Sequence, residues 1–174
     1  MRVLAIDYDP QFNLSQAFLA PQAYFPIEKA KKTTLSILLD DSSNLNPFQI
    51  NIPGNHTPPA PSAIVTNVYT GSDGGLLDLV PSTLDLMYVA LGQATQNTQP
   101  LEERFEKFIT ECRKHYDLVI IDCHPAGSLF TKTSLSNSDA VLIPVVSKKY
   151  AMRGIGLMME FIKAKKLVWS GPIP

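Results

Sequence analysis

The stretch that most constrains the fold is Asp117–Pro125, with the sequence DLVIIDCHP. The apolar run Leu118–Ile121 is too short for an ordinary helix, and it is typical of a strand buried on both faces, as in a parallel sheet. Asp122 follows at the point where this strand ends. A carboxylate there lies in the crevice where open α/β sheets bind ligands. A capping or turn aspartate before His124 and Pro125 is the open alternative.

The composition restricts the class of protein. A chain of 174 residues with 45% hydrophobic and 18% charged residues is typical of one globular domain. The formal net charge of −1 supplies no overall attraction for nucleic acid, so a DNA surface would be a local patch. Cys112 and Cys123 lack a C-x-x-C spacing, which indicates reduced thiols. With no signal peptide pattern after Met1 and no spanning apolar run, we expect a cytoplasmic protein.

Strand and helix patterns alternate along the chain. Besides the strand before Asp122, extended segments are predicted at Val3–Ile6, Ile64–Tyr69, Leu76–Pro81 and Ala140–Val146. Helices are predicted within 13–19, 33–39, 82–91, 102–113, from about 128, and around 155–162, whereas 20–32 shows no clear period. This alternation predicts a three-layer α/β fold, a parallel sheet with helices on both faces. We expect a single domain over 1–174 with a Pro/Asn-rich loop or insertion at about 41–63.

Acidic side chains follow two of the predicted strands. Asp7 and Asp9 end the first strand, which Pro10 stops, and Asp122 ends the later one. Because the carboxyl ends of parallel strands meet at one edge of a sheet, these carboxylates should lie together. Grouped carboxylates suit a hard cation such as Mg²⁺, which usually arrives with the phosphates of a nucleotide. The sequence therefore predicts a magnesium and nucleotide site.

Three segments carry a resemblance to a known family. Residues 3–11, 76–85 and 116–145 resemble, in the same order, the ParA/MinD-type ATPases, closest to the ParA branch that segregates plasmids and chromosomes. The resemblance implies a P-loop NTPase-like fold and ATP hydrolysis with Mg²⁺ and ATP as cofactors. It also implies a homodimer, a ParB-like partner protein, non-specific DNA binding at the nucleoid and no membrane attachment.

The resemblance implies roles for the matching positions. Asp9 corresponds to the aspartate that positions or activates the attacking water, and Asp122 to the Walker-B-type aspartate that holds Mg²⁺ through water. Asp7 lies beside the magnesium and phosphate-loop region. The switch-like loop that reports the nucleotide state contains Pro10, Gln11 and Asn13. An ordinary turn followed by a helix cap, with Asn13 or Ser15 as the cap, is the alternative for this loop.

Basic residues after the predicted strand Ala140–Val146 are candidate DNA contacts. The family binds DNA without sequence preference, and such binding is phosphate neutralisation by lysine and arginine. Lys148, Lys149 and Arg153 are the candidates, with a solvated loop as the alternative. His124 stands where the family usually has proline, and we interpret it as a hydrogen-bonded loop residue.

The sequence lacks the family's phosphate loop, a glycine-rich turn ending in Gly-Lys-Thr-Thr. None of the nine glycines is followed by lysine. Lys31–Thr34 imitates the end of the motif without its glycine, and predicts a surface or helix-start segment. In the family a loop-bearing unit of roughly 30 residues precedes the first strand seen here, and further strands follow the region near Lys166. We therefore expect a chain truncated at the N-terminus and at the C-terminus that binds ATP weakly or not at all alone.

Two other classes stay open. The first is a non-catalytic interaction module that keeps the ParA shape without the nucleotide. The second is a two-component receiver domain, whose phosphoacceptor aspartate also ends a buried strand. Receivers carry adjacent acids shortly before that strand, whereas Asp7 and Asp9 are split and lie far from Asp122 in the sequence.

Overall fold

The computed structural model describes residues 1–41, 54–92, 97–123, 129–144, 159–160, 162–163 and 168–170. They belong to two compact units, Met1–Thr133 and Ser134–Pro174. The single-domain organisation stays a prediction. Of the predicted 41–63 loop, residues 42–53 lie outside the described residues, as does most of the predicted helix at 155–162.

The first unit contains four strands and six helices within its described residues. The strands are β1 (Arg2–Tyr8), β2 (Thr66–Thr70), β3 (Leu76–Val80) and β4 (Leu118–Cys123). The helices are α1 (Asn13–Phe18), α2 (Pro21–Lys29), α3 (Leu35–Leu38), α4 (Pro61–Ile64), α5 (Leu86–Gly92) and α6 (Gln99–Cys112). Helix α7 (Leu129–Ser136) crosses into the second unit, where β5 (Ala140–Leu142) and β6 (Val168–Ser170) pair in parallel.

Two of the helices were not predicted, because proline obscured their sequence pattern. Helix α2 begins at Pro21 and contains Pro26, which interrupts the apolar period of residues 20–32. Helix α4 begins at Pro61, inside the predicted loop. Proline is favoured at the first position of a helix, since its missing N–H would have no intrahelical partner there.

The sheet of the first unit has the strand order β2-β3-β1-β4. Strand β1 is parallel to both β3 and β4, whereas β2 is antiparallel to β3. The β2–β3 turn places Gly74 at φ 80, a left-handed conformation that glycine adopts without strain. The sheet is therefore mostly parallel, as predicted, with one antiparallel pair at β2, where a short glycine-containing turn permits a hairpin.

Helices cover both faces of this sheet, as predicted. On one face, Leu4 and Tyr8 of β1 pack in a core cluster with residues of α3, α4, α5 and α6. The ring of Tyr8 stacks on Phe105 at 4.5 Å between centroids. On the other face, Ala5 and Leu79 pack with residues of α1 and α2. Among the described residues no helix has the length and apolar composition to cross a membrane.

Strand β4 is more exposed than its sequence predicts. Val119 and Ile121 pack against the core, but Leu118 is 45% exposed and Ile120 is 47% exposed. The prediction of burial on both faces was wrong, because β4 is the edge strand of the four-stranded sheet in the first unit. The predicted strand Ala140–Val146 is also shorter and less buried than expected, since β5 ends at Leu142, which is 61% exposed.

Candidate functional site

The pairing of β1 with β4 brings the predicted carboxylates to one end of the sheet. Asp7 lies directly opposite Asp122 in the parallel register, and Asp9 follows two residues later. Although the residue is exposed overall, partial desolvation of its carboxyl group, and secondarily the negative charge of Asp9, raise the pKa of Asp122. The carboxylates of two strands that are distant in sequence therefore act on one another, as the strand pattern predicts.

Asp7 differs from the other two because it is fully buried. Its Oδ2 accepts hydrogen bonds from the Ser15 backbone N–H at 2.7 Å and from the Ser15 hydroxyl at 2.6 Å. Burial raises the pKa of Asp7, although the hydrogen bonds from Ser15 oppose the shift. Asp7 thus fixes the start of α1 to the end of β1, while Asp122 is exposed and Asp9 is half-buried.

Residues 9–13 form a compact turn. The N–H of Gln11 donates to Asp9 Oδ1 at 2.9 Å, and the N–H of Phe12 donates to the Asp9 carbonyl at 2.9 Å. Pro10 is buried, whereas Gln11 and Asn13 are exposed. The turn holds the Asp9 carboxylate through its own backbone, and the switch role of its residues stays a prediction.

Phe12 holds the end of this turn in an unusual conformation. Its φ of 44° and ψ of 36° are left-handed, which is uncommon for a bulky residue. The ring stacks on Tyr24 with centroids 5.4 Å apart and planes 6° from parallel. The tyrosine hydroxyl in turn lies 2.9 Å from both the Ser82 carbonyl and the Glu28 carboxylate, which share its one proton. Helix α2 therefore supports the loop that carries Asp9.

Sequence reasoning missed a buried hydrogen-bond network beneath the aspartates. The Ser82 N–H donates to the Ser15 hydroxyl at 2.8 Å, and the Ser82 hydroxyl donates to the Asp9 carbonyl at 2.7 Å. Both serines are fully buried. The sequence suggested only local caps for them. Instead Ser82 joins the end of β3 to Asp7 and Asp9, a contact for which the sequence contains no local signal.

The segment that imitates the phosphate-loop tail, Lys31–Thr34, lies directly before α3. Lys31 is exposed, has φ 56° and pairs with Asp41 at 2.7 Å. Thr33 is 3% exposed, and Thr34, which is fully buried, directly precedes α3. The prediction of a helix start is confirmed for Thr34, but both threonines are buried and not at the surface.

The described residues form no cluster of side chains for direct coordination of a metal ion. Within them no group of three or more His, Cys, Asp or Glu side chains could hold a metal ion. Mg²⁺ commonly keeps several waters and uses only one or two carboxylates together with phosphates. The exposed Asp122 fits that mode. Lys148, Lys149, Arg153 and His124 lie outside the described residues.

Comparisons with known proteins find relatives along most of the chain. A family model described as "AAA domain" matches residues 1–168. The sporulation initiation inhibitor protein Soj of Bacillus subtilis is 27% identical over 164 residues, covering 93% of this chain and 53% of the relative. The chromosome-partitioning ATPase Soj of Treponema pallidum is 24% identical, covering 93% of this chain and 52% of the relative. The chain thus spans about half the length of these curated relatives.

Solved structures show the same fold. A plasmid partition protein from Borrelia burgdorferi is 24% identical with a TM-score of 0.65, over 98% of this chain and 63% of that one. The cobyrinic acid a,c-diamide synthase of Mycobacterium smegmatis, solved with ADP and magnesium, is 22% identical with a TM-score of 0.69, over 99% and 61%. The fold and the family match together show that this chain belongs to the ParA/Soj-type P-loop ATPase family.

Proposed function

We propose that this chain carries the aspartate half of the ATP site of a partitioning ATPase, a nucleotide-dependent switch for plasmid or chromosome segregation. The observation that carries the proposal is the opposition of Asp7 and Asp122 on adjacent parallel strands, with Asp9 directly beyond. The family match over residues 1–168 supports it. In this proposal Asp122 holds Mg²⁺ through water and Asp9 positions the attacking water.

The electrostatics support these roles. The pKa of Asp122 is raised by burial and by the charge of Asp9, so a divalent cation beside both carboxylates would relieve their repulsion. Phosphoryl transfer needs mainly positioning and charge neutralisation from the protein. The network through Ser15 and Ser82 fixes the Asp9 carbonyl, which suits a residue whose carboxylate must position a water.

The phosphate loop is the part of an ATP site that this sequence does not contain. The sequence contains no Gly-Lys pair, so the nine glycines provide no loop of the family type. A triphosphate would then meet mainly the carboxylates, and we expect weak or no ATP binding by this chain alone. Among the described residues of the first unit no strand pairs with the outer edge of β4, beside the exposed Leu118 and Ile120, so a further strand could pair there.

The partners follow from the same proposal. The protein would act as a homodimer in the cytoplasm, with a ParB-like partner protein and non-specific DNA at the nucleoid. Lys148, Lys149 and Arg153 are the proposed DNA contacts. Replacing all three by glutamine should weaken DNA binding and make it less salt-dependent. The same number of changes at Lys107, Arg113 and Lys114, which are exposed, is the matched control. Unchanged DNA affinity in the first variant would remove the assignment.

Calorimetric titration with Mg-ATP tests the nucleotide site. The chain alone should show no micromolar binding. Fusing a ParA-type βα unit whose glycine-rich turn ends in Gly-Lys-Thr-Thr ahead of Arg2 should create binding, and Asp9→Asn in the fused chain should abolish hydrolysis while leaving binding. Micromolar binding by the chain alone would overturn the expectation of weak affinity.

A non-catalytic interaction module is the second candidate, favoured by the absence of a Gly-Lys pair from the sequence. The fused chain distinguishes the two. Failure of a correctly folded fused chain to bind Mg-ATP would favour the module, because the aspartate half would then be unable to complete a site.

A further inference from the structure

A cavity of about 140 Å³ lies between the end of α2, the start of α3 and the residues after β3. The acidic side chains that border it are Glu28, Asp40, Asp41 and Asp85. Lys31 is its only basic lining residue among those described. None of Asp7, Asp9 and Asp122 borders it, so the cavity is separate from the proposed nucleotide site.

The cavity holds two carboxylates without a cationic partner among the described residues. Glu28 Oε1 accepts hydrogen bonds from Tyr24 at 2.9 Å and from Thr83 at 2.8 Å, and no described donor reaches its Oε2. No described donor reaches the Asp85 carboxylate either. Burial, and then the charge of Glu28, raise the pKa of Asp85. Two like charges are thus held close together without a counter-charge.

The lysine at the rim does not neutralise this pair. The Lys31 ammonium lies 2.7 Å from Asp41, and the two side chains are 69% and 88% exposed. This ion pair faces solvent, where its interaction is weak. Glu28 and Asp85 are less exposed than these rim residues. Asp40 interacts with the positive charge of Arg104.

Thr33 gives an independent indication of a ligand. The residue is 3% exposed, borders the cavity, and its hydroxyl makes no hydrogen bond within the described part of the chain. The hydroxyl oxygen is not itself fully buried, so it is accessible from the cavity, and a polar group that enters the cavity would supply the hydrogen bond that it lacks. Leu35 and Leu39 supply an apolar wall next to these polar atoms.

We propose that this cavity binds an organic cation, an alkylammonium or guanidinium group on an aliphatic chain. The Glu28 and Asp85 carboxylates would accept its N–H donors, the Thr33 hydroxyl would add a hydrogen bond, and the leucines would contact its methylene groups. A directly coordinated metal ion fits less well, since no described group of three acidic or other metal-ligating side chains is close enough to hold one. The cation can belong to a lysine or arginine side chain of a peptide, or to a free polyamine.

NMR titration of the unmodified chain tests the proposal. The probes are N-acetyl-lysine amide and N-acetyl-arginine amide, with N-acetyl-glutamine amide as the neutral control. The cationic probes should produce saturable shifts of the backbone amides of Thr33, Thr83 and Asp85, and the neutral probe should not. Equal shifts with all three probes, or shifts that map elsewhere, would overturn the proposal.

A charge-matched pair of variants provides the second test. Glu28→Gln combined with Asp85→Asn should weaken binding of the cationic probes about tenfold or more, because it removes hydrogen bonds to charged groups. Glu106→Gln combined with Glu160→Gln changes the net charge equally at exposed positions outside the cavity, and should leave binding unchanged. Equal weakening of probe binding in both double variants would mean that the probes respond to the net charge of the protein. That result would contradict a specific site in the cavity. If the Glu28→Gln and Asp85→Asn double variant does not fold, the NMR shifts of the unmodified chain are sufficient to test the proposal.

Spermidine and a lysine-containing tripeptide distinguish the two sources of the cation. Tighter binding of spermidine than of the tripeptide assigns the cavity to a polyamine, and the reverse assigns it to a partner peptide. Failure of both to compete with the single amino-acid probes would contradict the proposal. None of these measurements requires ATP, so their outcome is independent of the proposed ATPase function.

Discussion

Replacing Arg104 by methionine should strongly destabilise the first unit. Arg104 lies in α6 and is 2% exposed. Among the described residues its guanidinium donates to five backbone carbonyl oxygens, those of Ser36, Ile37, Leu39, Asn55 and Thr57. Three of these carbonyls belong to the end of α3, where the helix leaves carbonyls without intrahelical partners. One side chain therefore joins α6, α3 and the segment at 55–57.

The expected magnitude follows from the bonds that are buried. The bonds to Ile37, at 2.9 Å, and to Leu39, at 3.2 Å, are buried, whereas those to the 55–57 segment are nearer to solvent. Leaving a buried polar group unsatisfied costs about 1–3 kcal/mol, so two such carbonyls lose about 2–6 kcal/mol. Methionine recovers part of this because it fills the space without a buried charge. We expect a net loss of about 2–4 kcal/mol.

Urea unfolding followed by circular dichroism measures this loss as a change in the free energy of unfolding. Lys107→Met on the same helix is the control, since Lys107 is exposed and should change stability by less than about 0.5 kcal/mol. Arg104→Lys should also be destabilising, because an ammonium has only three donors for five acceptors. Full stability of the lysine variant, or equal effects of Arg104→Met and Lys107→Met, would refute the reasoning.

Three further predictions concern the stability effects of Ser15, Lys31 and Asp7. Ser15→Ala should cost about 2–4 kcal/mol in urea unfolding, since it removes a hydrogen bond to a buried carboxylate and leaves the Ser82 N–H without its acceptor; a loss below about 0.5 kcal/mol would contradict the network. Lys31→Gly should stabilise the chain by about 0.5–1 kcal/mol in thermal unfolding, because glycine adopts the left-handed φ of 56° without strain and the exposed ion pair with Asp41 contributes little; a lower melting temperature would count against this. Burial raises the pKa of Asp7 above 3.8, so the folded chain keeps this proton to a higher pH than the unfolded chain, and stability falls as the pH rises from 3.8 through the raised pKa. Asp7→Asn should therefore gain stability relative to the unmodified chain between pH 4 and pH 7, and a difference that is independent of pH would show that Asp7 does not titrate in this way.

Strand β4 shows which features of the fold the sequence alone predicts and which it does not. The apolar run Leu118–Ile121 predicts the strand, and the two strand ends predict that Asp7 and Asp122 share one edge of the sheet. The exposure of Leu118 and Ile120 was not predictable, because burial of a strand depends on which neighbours it has, and a local pattern does not encode them.

The side-chain environments of Asp7 and Asp9 were also not predictable from the local sequence pattern. Asp7 and Asp9 look alike in the sequence, yet the Ser15 hydroxyl makes Asp7 a buried anchor while Asp9 stays half-buried. Ser82 reaches Asp9 from 73 residues away. Contacts over such separations depend on the tertiary fold, so they became visible only in the structure.

The central claim is that Asp122 belongs to a magnesium and nucleotide site. Mg-ATP titration of the chain fused to a glycine-rich βα unit, with and without Asp122→Asn, tests it most directly. Asp117→Asn is the matched control, since Asp117 lies at the other end of the same strand and its asparagine keeps an oxygen for the Arg2 N–H. We predict that Asp122→Asn weakens Mg-ATP binding about tenfold or more and that Asp117→Asn does not. Equal affinity of the Asp122→Asn and unmodified fused chains would contradict the account.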